Sequence, residues 1–223
     1  AFAGIGADLA MLGPTLLDLK EQLGVSEGAA SVLFPCRALG YMAGAQLGGK
    51  LGRARNIALA LLVPLSLTCM GAAAVAFVRD LALACLLMSL QGVAMGILDT
   101  GGNVILLTIW RGHRYQNGFM HALHFFFGLG TVLSPLFLRC WLRQGHAAPL
   151  AWVAAGASLL PACLGLLAAA PARQPRLEED PEGEGAVSSV VLGSGVFLFV
   201  YVGIEVAFGG YVDAFAQEWL GAS

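Results

Sequence analysis

Asp99 and Asn103 stand one helical turn apart in GILDTGGNVILLTIW, residues 96 to 110, inside one of the most apolar stretches of the chain. A carboxylate near the centre of a membrane helix costs about 2.5 to 3.5 kcal/mol. It therefore faces protein or water, not lipid. Asn103 follows at i+4 and shares its face, while Gln91, two turns earlier and displaced by about 80°, extends the same wall. Gly101 and Gly102 lie between the two polar residues and permit close backbone approach or a kink. Carboxylate and amide groups offer directional hydrogen bonds to a hydroxyl-bearing ligand, and the carboxylate also suits a cation. The alternative is that Asp99 bonds a neighbouring helix or the loop arginines.

Other polar residues lie in equally apolar surroundings. His121 and His124 share one face in FMHALHFFFGLG, where an imidazole can donate to a hydroxyl, relay a proton or satisfy a helix carbonyl. His124 is read as lining the substrate path and His121 as structural. Asp8 and Glu205 are read as buried acids near a central cavity. With Asp99 they are the candidate ion-coupling residues, because sodium wants hard oxygen ligands such as a carboxylate with carbonyls from a glycine-interrupted helix. Arg37, the one cation inside a span, is the structural partner that any of the three acids could hold instead. Apart from that sodium no metal site is read, and the five cysteines, lacking CxxC spacing, are small packing residues.

These residues need helices to hold them in a bilayer. The chain of 223 residues is 58% hydrophobic and 12% charged, with a mean hydropathy of +0.77 and an isoelectric point near 6.1. An average soluble domain is about a quarter charged, so the lipid bilayer is the first partner. With a net charge of −2, no basic surface suits nucleic acid. Seven apolar runs near the length of about 20 residues that crosses a bilayer cover 2–19, 28–49, 56–78, 81–109, 117–138, 150–170 and 188–212. They are helices, since lipid leaves no partner for an open strand and no period of two marks a barrel. The fold class is all-α, a polytopic membrane helix bundle.

Orientation follows from the loop cations. Lys50, Arg53, Arg55, Arg111, Arg114, Arg173 and Arg176 fall on one side, against Lys20, Arg79, Arg139 and Arg143 on the other, which puts the N-terminus in the cytoplasm. No basic n-region opens the chain, so no cleaved signal peptide is read. The stretch PARQPRLEEDPEGEG begins a polar linker, 171–186, between a six-helix half, 1–170, and a seventh helix within 187–223. Overlaying residues 6–24 on 203–221 without gaps matches six positions, among them Gly6 with Gly203 and Gly13 with Gly210, and sets Asp8 on Glu205. The seventh helix thus reads as the first of a second half. Gly40, Gly44 and Gly48, with Gly92 and Gly96, form small-residue stripes that pack helices backbone to backbone.

GPTLLDL at 13–19, CRALGYMAG at 36–44, GILDTGGNVILLTIW at 96–110, MHALHFFFGLG at 120–130 and YVGIEVAFGGY at 201–211 resemble the sodium-dependent glucose transporter branch of the major facilitator superfamily. GGKLGRAR at 48–55 resembles the superfamily's basic signature but lacks its aspartate. The resemblance implies a twelve-helix fold, of which this chain carries the N-terminal half and one further helix. It also implies sodium-coupled uptake of glucose or a related hexose by alternating access, in a multi-pass protein of the plasma membrane, apical in epithelia. The partners are then a small sugar and sodium as co-transported ion, with no further cofactor. Gln91, Asp99, Asn103 and His124 would meet the sugar, and Asp8, Asp99 or Glu205 the ion. Proton coupling, a truncated non-transporting protein and a seven-helix receptor are the competing readings. No HExxH, GxSxG or paired-aspartate motif points to an enzyme.

Overall fold

A backbone in lipid must satisfy its own hydrogen bonds, and every element among the described residues is a helix. The computed structural model describes residues 1–51, 56–170 and 189–220. In chain order the helices are α1 (Phe2–Met11), α2 (Leu16–Leu23), α3 (Glu27–Ala30), α4 (Leu33–Gly48), α5 (Ile57–Val75), α6 (Leu81–Ile109), α7 (Gln116–Arg143), α8 (Ala148–Ala157), α9 (Leu160–Ala169) and α10 (Ser189–Leu220). The linker expected at 171–186, with Arg173 and Arg176, lies outside the described residues, as do Arg53 and Arg55 of the basic segment.

Among the described residues five spans are long and apolar enough to cross a bilayer: α5, α6, α7, the pair α8 and α9 taken together, and the central part of α10. The first expected run is instead two helices bent by 60°. Pro14 has no amide to donate and clashes with the preceding turn, so α1 ends at Met11 and four turn residues intervene. Thr15 secures the break, its hydroxyl donating to Met11 O at 2.7 Å while Trp152 Nε1 donates to Thr15 Oγ1 at 3.2 Å. The second run becomes the short α3 and a 16-residue α4, at about 24 Å shorter than a hydrocarbon core of about 30 Å. By contrast α6, with 29 residues, extends about 44 Å and reaches beyond the core at its ends.

Asn56 and Asp80 cap α5 and α6, accepting from Leu59 N at 3.1 Å and Leu83 N at 2.8 Å. Two side-chain amides tie helix ends that alternating spans must bring to one side. Gln22 Nε2 donates to Val75 O and Val78 O at 2.8 and 2.7 Å, joining the ends of α2 and α5. Asn56 Nδ2 donates to Ala170 O at 2.8 Å, joining the start of α5 to the end of α9. Within this frame α4 runs along α6, α1 along α7, and α5 packs between α6 and the α8–α9 span. Trp152, Met88, Leu33 and Met11 fill one core cluster; Ile5, Leu65, Met95 and Leu159 fill a second. Outward faces are apolar and exposed, including Leu39, Met70, Leu86, Phe125 and Leu136, as a bilayer setting requires.

Among the described residues α10 meets the bundle through Gly210 and Tyr211. Gly13 approaches Gly210 so closely that an added Cβ would sit 2.6 Å from Gly209 O, and Tyr211 packs on Phe34 at 5.4 Å between ring centroids. Gly13 and Gly210 are paired in the overlay of the first and seventh helices, so the two matching positions touch each other.

Candidate functional site

The α4–α6 seam is built by glycine. A Cβ on Gly40 would strike Ser89 O, one on Gly44 Val93 O, one on Gly92 Arg37 O, and one on Gly96 Tyr41 O. The two backbones are therefore in contact, as the small-residue stripes predict. That contact aligns Arg37 and Tyr41, one turn apart on α4, with Gln91, Met95, Asp99 and Asn103, spaced by four along α6. Two polar clusters result.

The first is sealed. Asp8, Arg37 and Gln91 are 0%, 4% and 1% exposed. Gln91 Nε2 donates to Asp8 Oδ2 at 2.8 Å, and the Arg37 guanidinium lies 3.5 Å from the same oxygen. Arg37 also donates to two main-chain oxygens of α1, Asp8 O at 2.9 Å and Leu9 O at 3.3 Å, and touches Met95 Sδ at 3.3 Å. Asp8 is thus the acid that holds Arg37.

The second cluster is half-buried. Tyr41 Oη donates to Asp99 Oδ2 at 2.5 Å, while Asn103 Nδ2 donates to Asp99 O at 2.9 Å and reaches Asp99 Oδ1 at 3.5 Å. Both donors are neutral. Asp99 has no cation within salt-bridge distance among the described residues, and Asn103 Oδ1 is a buried acceptor without a partner. The cluster holds carboxylate, amide and phenol oxygens close together, the hard donor set that a small cation takes and that a sugar hydroxyl can also bond.

Several expected groupings differ in the folded chain. Gln91 joins Asp8, not Asp99: eight residues along α6 separate Gln91 from Asp99 by about 12 Å, and Met95 fills the interval. Glu205, expected to be buried at the depth of Asp8, is exposed. It stands about 140° around α10 from Gly210, the position through which that helix meets the bundle. His124 and His121 are exposed on α7, whose buried positions Gly130, Ser134 and Leu138 form its inward stripe. Neither histidine reaches either cluster. Tyr41 escaped the sequence reading, although its i+4 spacing from Arg37 within CRALGYMAG was a visible signal that both residues share a face.

Residues 1–222 match the family model of the Major Facilitator Superfamily. "Sodium-dependent glucose transporter 1" of Homo sapiens is 40% identical over 139 residues, covering 62% of this chain and 26% of that relative. Its namesake in Xenopus laevis is 30% identical over 241 residues, covering 95% of this chain and 49% of the relative. The human "Major facilitator superfamily domain-containing protein 4A" is 35% identical over 149 residues, covering 66% and 29%. The chain thus spans no more than about half the length of these relatives. An all-helical membrane bundle, with a match over nearly its whole length, makes this chain a member of the major facilitator superfamily.

Proposed function

We propose that this chain serves sodium-coupled uptake of a hexose by alternating access, with Asp99 as the residue that meets the coupling ion. The observation that carries the reading is the charge balance of the two clusters. Asp8 is neutralised by Arg37, whereas Asp99 is held by a phenol and an amide and, among the described residues, has no cation beside it; a partly buried carboxylate in that setting favours acquiring one. Tyr41 and Asn103 would orient the carboxylate and offer their own oxygens to the ion or to a sugar hydroxyl. Two relatives, 40% and 30% identical over the matched residues, are named as sodium-dependent glucose transporters, which supports both the ion and the substrate class. A cytoplasmic N-terminus and residence in the plasma membrane belong to the same proposal.

The test is uptake of labelled glucose by vesicles containing the full chain, with sodium replaced by choline as control. Sodium-dependent uptake should fall about tenfold or more in Asp99→Asn, equivalent to at least ~1.4 kcal/mol of lost coupling, and persist in His121→Ala. Full sodium dependence in Asp99→Asn would remove Asp99 from the mechanism.

A further inference from the structure

The last turn of a helix gathers carbonyl oxygens at the negative end of its dipole and attracts cations. α1 ends in this way inside the membrane bundle, because Pro14 interrupts the first span three residues after Met11. The carbonyls of Asp8 and Leu9 belong to that last turn, and Asp8 adds a carboxylate whose Oδ1 has no partner although it is buried. Gln91 Oε1, on the amide that holds Asp8 Oδ2, is likewise buried and unpartnered. Backbone carbonyls from the C-terminal end of a broken helix, joined by a carboxylate, are the donor set with which discontinuous membrane helices bind sodium.

Here the position is filled from within. The Arg37 guanidinium, 4% exposed, places Nη2 on Asp8 O at 2.9 Å and Nη1 on Leu9 O at 3.3 Å, and lies 3.5 Å from the Asp8 carboxylate. We propose that the end of α1, with Asp8 and Gln91, is a monovalent-cation site that the chain occupies with its own Arg37. The tethered guanidinium cannot leave with a substrate, so this site fixes the bend between α1 and α2 without carrying an ion. Removing the guanidinium while keeping Asp8 turns it into a site for free sodium. The proposal stands on the geometry of α1 and is independent of the role given to Asp99.

The experiment uses the full chain in detergent micelles with Asp99→Asn throughout, so that binding at Asp99 does not contribute. Unfolding midpoints are measured in sodium chloride and in choline chloride at equal ionic strength. The background variant should give the same midpoint in both salts. Adding Arg37→Gln should make the midpoint rise specifically with sodium, by about 5 to 10 °C at concentrations near 100 times Kd. Adding Asp8→Asn as well should abolish that rise. A folded Arg37→Gln protein that ignores sodium, or a rise that survives Asp8→Asn, overturns the proposal. If Arg37→Gln gives no folded protein, the version that also carries Asp8→Asn decides. Recovery of helical protein upholds Arg37 as the cation that Asp8 requires, and failure to recover it overturns that role.

Discussion

The two polar clusters share a pair of helices and differ in nearly everything else. Arg37 and Tyr41 are one turn apart on α4, and Gln91 and Asp99 two turns apart on α6, yet one cluster is closed and charge-balanced while the other is half-open and carries an acid with no cation partner among the described residues. The difference comes from α1. Beside Gln91 it presents Asp8 and the carbonyls of its last turn; beside Gly102, near the other cluster, it presents the ring of Phe2. A buried charge that finds its counter-charge inside the fold becomes architecture, whereas one that does not is available to a ligand.

The sharpest way to break this contrast is to unbalance the closed cluster. Arg37→Met should destabilise the chain by about 3 to 5 kcal/mol, because it strands a buried carboxylate, and Asp8→Asn should return part of that loss. Denaturant unfolding measures both, and a loss below ~1 kcal/mol would show that the pair is not an electrostatic unit. Next in size is Gly44→Leu on the shared seam. Its Cβ would strike Val93 O, and separating α4 from α6 should cost about 3 kcal/mol. Since both clusters use that seam, sodium binding at Asp99 should weaken along with stability; weakened stability with unchanged binding would separate the clusters. Tyr41→Phe removes one hydrogen bond to a carboxylate and should cost about 1.5 kcal/mol. It should alter the sodium concentration needed for half-maximal uptake while leaving helical content, measured by circular dichroism, intact. The smallest effect belongs to Asn103→Ala, about 1 kcal/mol or less, because its bond to Asp99 O stays within one helix. Its signature is changed sugar affinity with a melting temperature lowered by no more than about 2 to 4 °C.

Much of the frame was legible from residues alone. The long apolar runs that become α5, α6 and α7 stand out because lipid allows a helix and little else. The glycine stripes at 40, 44, 92 and 96 announced a backbone contact, since a helix face without side chains gains only by close approach. Positions within the first run were less legible. The 60° bend at Gly13 and Pro14 replaces a straight span, and the proline that causes it was visible, but its consequence also depends on Trp152 and Arg37 arriving from elsewhere in the chain.

What the sequence determined by itself, then, is local: helices from hydropathy and length, breaks from proline, shared faces from i+4 spacing, and the presence of costly polar groups in an apolar setting. Which acid would take Arg37 was undetermined, because Asp8, Asp99 and Glu205 are each 29 or more residues away along the chain, and periodicity says nothing about distance between helices. Only tertiary packing decided it. The α4–α6 contact fixed the height of Arg37, the end of α1 supplied carbonyls and a carboxylate at that height, and Asp99, farther along α6, was left with Tyr41 and Asn103 and no cation among the described residues.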